Sequence, residues 1–158
     1  MANDKTNALR ILESNKVEYE LVTYPCKEAI DGITVAEKLG ADVSIVYKTL
    51  VTQGKSKNYF VFVVPAAQEL DLKKAAQSVG EKSVEMIAVK DINKVTGYIR
   101  GGCSPVGMKK SYVTVFDCSA EALDKIFVSA GKLGFQLKAS PKELCRVTKG
   151  NFADIIRN

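Results

Sequence analysis

No histidine occurs anywhere in the 158 residues. A Ser-His-Asp or Cys-His nucleophile system therefore cannot be built from this chain. Any chemistry has to use lysine, carboxylates, hydroxyls, backbone amides or groups carried by the substrate. The four cysteines, Cys26, Cys103, Cys118 and Cys145, are irregularly spaced and form no Cys-x-x-Cys pair. That spacing offers no zinc knuckle, and free thiols are expected. No metal and no cofactor are called for. Apolar runs are short, the longest lying around Tyr59 to Ala67, so no bilayer span and no membrane partner are expected. The opening Met1-Ala2-Asn3-Asp4-Lys5 lacks the apolar core of a signal peptide, which predicts a cytoplasmic location. No repeat, linker or low-complexity stretch interrupts the chain, so residues 1–158 are expected to form a single domain.

Hydrophobic content of 46% and charged content of 26% suit a globular protein with a real core. The net charge of +5 leans modestly toward a polyanionic partner.

Helical spacing predicts a helix over residues 5–15, with Asn3 or Asp4 as candidate caps, and a short one over 34–39 ended by Gly40. Strands are predicted at 19–24, and at 45–52 and 59–64 as a hairpin. A helix follows from Asp71 to Val79, and another over 91–95. Strand 112–116 precedes a second hairpin, 125–129 with 134–138. Helices are predicted over 141–147 and 152–157. Strands and helices do not alternate regularly, which argues against a doubly wound parallel sheet. The expected class is α+β: a mixed, mostly antiparallel sheet or barrel with peripheral helices.

The run Gly101-Gly102-Cys103-Ser104-Pro105-Val106-Gly107 carries most of the chemical information. Glycines admit close backbone approach, and successive amides can cradle an anion or oxyanion. Gly102 and Gly107 have Walker A separation, but Met108 stands where the lysine belongs, which excludes that site. A tight turn is the plain alternative. With no histidine to activate Cys103 or Ser104, Ser104 is read as a hydrogen-bond donor to substrate and Cys103 as a small filler. Lys48 lies on a strand whose two faces are both largely apolar. It is either enclosed and functional, or it snorkels to the surface. Lys109-Lys110 would present positive charge to a phosphate arriving at the loop.

These stretches resemble the YbaK/EbsC family, free-standing relatives of the editing domain inserted in bacterial prolyl-tRNA synthetases. The likeness runs through Val46 to Leu50, Gln68 to Lys74, Thr96 to Tyr98, Gly101 to Lys110, Val128 to Lys132 and Phe152 to Ile155. The resemblance implies a trans-editing aminoacyl-tRNA deacylase for Cys-tRNA(Pro), in which the substrate's thiol attacks its own ester and releases a thiolactone. It implies Lys48, Gly101 and Ser104 as the catalytic set. Tyr24, Asp31, Gly102, Cys103, Pro105, Val106, Gly107, Ser129 and Gly131 are implied as substrate contacts. The departures from the family pattern are Asp31 for a phenylalanine, Ala130 for a glycine, Leu133 for an arginine and Gln136 for an aspartate. They bear on amino-acid specificity. Two other readings stay open: a water-based deacylase for alanyl-tRNA or another small amino acid, and a non-catalytic module that binds tRNA or a synthetase. The expected partner is the tRNA acceptor end, with prolyl-tRNA synthetase supplying part of the tRNA identity.

Overall fold

The computed structural model describes residues 5–158. Helix α1 (Asn7–Ser14) starts at Thr6, whose hydroxyl accepts the Leu9 N–H. The predicted caps Asn3 and Asp4 lie outside the described residues. Strand β1 (Tyr19–Thr23) leads to α2 (Gly32–Leu39), which is capped by the Asp31 carboxylate and ended by left-handed Gly40. The expected hairpin is β2 (Tyr47–Gly54) with β3 (Tyr59–Pro65). Helix α3 (Leu72–Ser78) follows, with Asp71 as its cap. Then come β4 (Val84–Met86), which the sequence pattern did not reveal, and α4 (Ile92–Thr96). Strand β5 (Val113–Asp117), the hairpin β6 (Ile126–Lys132) and β7 (Phe135–Ala139), α5 (Pro141–Thr148) and β8 (Asn151–Ala153) complete the order.

Two sheets result. One runs β1-β7-β6, antiparallel throughout; the other runs β4-β2-β3-β5-β8. In the second, β2 pairs antiparallel with β3 and β4, while β3–β5 and β5–β8 are parallel. The mixed, mostly antiparallel α+β class is therefore the observed one. A bridge between Val46 and Phe127 joins the two sheets where β2 begins.

Alternation along β3 divides the core. Phe60, Phe62 and Val64 pack with Ala75 and Ala76 of α3 and with Val84, Val115 and Ile155. Val63 faces the other way, joining Leu9 and Leu12 of α1, Val128 and Leu137 of the β1-β7-β6 sheet and Leu144 of α5. A smaller cluster holds α2 through Val35, Ala36, Val46 and Phe127. Among the described residues no helix is long and apolar enough to cross a membrane.

The helix expected over 152–157 is instead β8 followed by an extended tail. Sheet pairing wins there: Asn151, Phe152 and Ala153 register with Val115, Phe116 and Asp117, and the Phe152 ring packs 5.9 Å from that of Phe116. Six residues offer too little intrahelical bonding to compete. Buried Asp117 fixes the end, accepting the Ile155 N–H at 3.1 Å with one oxygen and the Ser119 N–H at 3.1 Å with the other. Asp117→Ala is expected to cost about 3 kcal/mol in urea unfolding, because the buried Ile155 N–H and the half-buried bond from the Ser119 N–H lose their carboxylate acceptor. A loss below about 0.5 kcal/mol would show that the tail is held by other contacts.

Candidate active site

Strand β2 has an open edge. β4 pairs only with Thr52, Gln53 and Gly54, and the bridge to β6 is at Val46, just before β2, so among the described residues no strand pairs with residues 47–50 on that side. The Val46 carbonyl accepts the Ala66 N–H at 2.8 Å, and the Val51 carbonyl accepts the Ile87 N–H at 3.2 Å. Strand alternation then turns the odd-numbered peptide groups, Thr49 included, toward the open edge. A cleft of about 700 Å³ lies along it. Its walls come from five sources: β2 with Val46, the 29–35 segment, Ala66 and Glu69 after β3, the 86–92 segment, and the glycine loop with Ser129 and Gln136.

Of the residues singled out in the sequence, Lys48, Asp31, Gly101, Cys103 and Ser129 line this cleft together. Lys48 is half-buried, and among the described residues no carboxylate lies within 4.0 Å of its ammonium. Asp31 is exposed, and its carboxylate accepts the Thr34 N–H at 2.7 Å. That backbone bond holds the Asp31 carboxyl below the usual range, so it is an anionic helix cap at the rim. Ser129 Oγ accepts the Gly131 N–H at 3.1 Å across a β-bulge. Burial pushes the Cys103 thiol up to about 11. At neutral pH it is a protonated wall group and not a nucleophile.

The rest of the set sits elsewhere. Gly102 is buried, and a Cβ on it would come 3.1 Å from the Lys132 carbonyl carbon, so it is where the loop presses on the β6–β7 turn. Ser104 is fully buried, and its Oγ accepts the Val106 N–H at 3.3 Å. Val106 belongs to the core, and its carbonyl accepts the Tyr98 hydroxyl at 2.6 Å. The Gly107 carbonyl takes the Asn7 side-chain N–H at 2.8 Å. Pro105, Val106 and Gly107 line a separate groove beside α1 and α5. Gly131, at φ +104°, backs onto the Tyr98 ring. Tyr24 stands behind the cleft wall in the α2 cluster. Burial raises its pKa, and the neighbouring Gln136 amide partly offsets that.

Two polar atoms stand out. Thr49 Oγ1 and Gln136 Oε1 are both buried and have no hydrogen-bond partner among the described residues, and both residues line the cleft. Leaving such atoms unpaired costs about 1–3 kcal/mol each. A bound molecule that donates to them recovers that cost. Neither was singled out from the residues alone, although Gln136 was one of the departures from the family pattern. The 86–92 wall was also missed; its only sequence signal is Met86, Ile87, Val89 and Ile92 in a stretch without clear periodicity.

Thiol titration gives a direct check on the site. A Cys103 pKa two units above the ordinary 9.0 implies about a hundredfold less thiolate at pH 8. Iodoacetamide labelling of the Cys103 peptide, followed by mass spectrometry, is expected to lag the unfolded chain by at least that factor. Labelling at the free-thiol rate would contradict the assignment. The linkage has a definite sign. The unfolded chain gives up this proton near pH 9 and the folded one near 11, so Cys103 lowers stability as pH rises across that window.

An ammonium, bare glycine backbone and two polar atoms unpaired among the described residues thus surround an open strand edge. The chain belongs to the aminoacyl-tRNA editing domain family, whose model matches residues 28–147. It is 45% identical over 152 residues to EbsC of Enterococcus faecalis, a protein named provisionally as a Cys-tRNA(Pro)/Cys-tRNA(Cys) deacylase; the match covers 96% of this chain and 93% of that one. It is 28% identical over 98 residues to the proline–tRNA ligase of Thermosipho melanesiensis, covering 62% of this chain and 17% of the ligase. A crystal structure described provisionally as a trans-editing enzyme for prolyl-tRNA synthetase superposes with a TM-score of 0.83. It covers 96% of each chain at 24% identity, a likeness of fold.

Proposed function

We propose that this protein is a trans-editing aminoacyl-tRNA deacylase that clears cysteine from tRNA(Pro), with residues 1–158 acting as one editing domain in the cytoplasm. The reading is carried by one observation. The cleft gathers Lys48 and Gly101, and the chain has no histidine with which to activate Cys103 or Ser129 as a nucleophile.

The reaction then needs little from the protein. The aminoacyl ester is activated, and the cysteine thiol arrives with it. The sulfur attacks the ester carbonyl carbon and forms the C–S bond of a thiolactone. The C–O bond to the terminal ribose breaks, and the thiol proton ends on the ribose oxygen. The protein's part is orientation and charge. Lys48 provides positive charge for the developing oxyanion. The substrate's α-ammonium or a ribose hydroxyl can donate to Thr49 Oγ1 and Gln136 Oε1, the two atoms left unpaired. Ser129 and Asp31 line the same cleft. Ser104, packed inside the loop, acts by holding the loop's shape.

The partner in this reading is the tRNA acceptor end, with prolyl-tRNA synthetase helping to select the tRNA. Purified protein is expected to deacylate cysteinyl-tRNA(Pro) much faster than alanyl-tRNA(Pro) under single turnover. Equal rates on both would point to a water-based editor, and no turnover of either, even with prolyl-tRNA synthetase added, would contradict the proposal.

A further inference from the structure

The chain's positive charge is not spread evenly. Residues 89–110 hold five cations, Lys90, Lys94, Arg100, Lys109 and Lys110, against one acid, Asp91. That is a net +4 of the whole chain's +5, so the other 136 residues come to +1. All five cations are exposed, and among the described residues none has a carboxylate within 4.0 Å.

The segment is one surface. The Lys109 N–H donates to the Thr96 carbonyl at 3.0 Å, and Lys109 Nζ donates to the Lys94 carbonyl at 3.2 Å. The Tyr112 hydroxyl donates to the Val95 carbonyl at 2.6 Å. These bonds stitch α4 to the strand-leading loop and bring Lys109 onto Lys94, while Lys110 follows at the edge of the groove beside α5. The same surface runs into the cleft, whose wall includes Val89, Ile92, Arg100 and Gly101. At that junction apolar side chains are left in water: Met86 is 48% exposed, Val89 55% and Ile99 50%.

We infer that the 86–110 surface is the RNA-docking face, with the cations on the phosphates of the acceptor end and Met86, Val89 and Ile99 against its unpaired terminal bases. Phosphate contacts supply position and affinity, and exposed apolar surface suits bases that have no pairing partner. Continuity with the cleft delivers the 3′ ester to Lys48 and Gly101. The identity of the RNA rests on the deacylase reading; the location of the face does not.

The test uses uncharged tRNA(Pro) as probe, with binding followed by fluorescence anisotropy between 50 and 200 mM salt. Each neutralised phosphate adds about 0.7–0.9 to the slope of log K against log salt. Lys90→Gln/Lys94→Gln/Lys110→Gln is expected to flatten that slope by about 2–3. The arginine version at the same three positions retains it. Lys16→Gln/Lys125→Gln/Lys142→Gln, with equal charge removed elsewhere, leaves the slope as in wild type. An unchanged slope in the first variant, an equal fall in the distant one, or no wild-type binding at 50 mM salt would overturn the inference. So would loss of synthetase capture with the tRNA slope intact, which would give the face to a protein partner. Failure to turn over cysteinyl-tRNA(Pro), with the slopes as expected, would remove the functional reading and leave the docking face standing.

Discussion

Lys48→Ala is expected to lower kcat/KM on cysteinyl-tRNA(Pro) by about 10²–10³-fold, the range for removing one preorganised group that meets developing charge. The physical case is local. Lys48 is half-buried on the stretch of β2 that no strand covers, and it lines the cleft. Among the described residues no carboxylate quenches its charge within 4.0 Å. A charge poised there acts on a neighbouring oxyanion at an effective dielectric well below that of water. The loss should fall mainly on kcat, because the interaction strengthens only as the carbonyl oxygen gains charge. Removing the side chain from a strand edge should leave the melting temperature within a few degrees of wild type. A change confined to KM would assign Lys48 to binding the tRNA end, and full activity would take it out of the mechanism.

Gly101→Val is the second large effect, for two independent reasons. Gly101 has φ +82°, a left-handed conformation that a β-branched residue adopts at high cost. A Cβ there would also stand 2.8 Å from Leu133 Cδ2, 2.9 Å from Ala29 Cβ and 3.1 Å from Ala29 Cα. The backbone atom cannot yield as a side chain would, so the glycine loop must separate from the 29–35 segment, and both are cleft walls. The expected result is a loss of several kcal/mol in stability together with at least a hundredfold fall in kcat/KM, conformational strain and overpacking each adding about 1–3 kcal/mol. Gly40 supplies the control. It has φ +66° but nothing within 4 Å of its would-be Cβ, so Gly40→Ala measures the conformational cost alone, about 1 kcal/mol. If Gly101→Ala costs no more than Gly40→Ala and activity survives, the loop is a turn whose packing has no bearing on the site.

Much of this architecture is written locally. Alternation in β2 and β3, the helix beginning near Asp71 and the stop at Gly40 all rest on neighbours within a few residues, and the sequence pattern shows them. The family likeness brought Lys48, Gly101 and Ser129 into one group, and the cleft does hold all three. What stayed hidden depends on distant partners. Strand β8 exists because β5 offers it an edge and Asp117 a carboxylate. The glycine loop reads as one motif, yet its two ends face different ways: Gly101 and Cys103 toward the cleft, Pro105 to Gly107 toward α1. An irregular loop has no period from which such a change of face can be read. The unpaired atoms of Thr49 and Gln136 are likewise products of two sheets meeting at one corner.

The most direct test compares single-turnover deacylation of cysteinyl-tRNA(Pro) with that of its S-methylcysteinyl counterpart. The methyl group removes the nucleophile and leaves the ester, the ammonium and the tRNA in place. With a site that orients substrate and supplies no nucleophile, the cysteinyl form is cleared rapidly and the methylated form persists at the uncatalysed rate. Equal clearance of the two would contradict the account, because the attacking group would then have to come from water or from the protein.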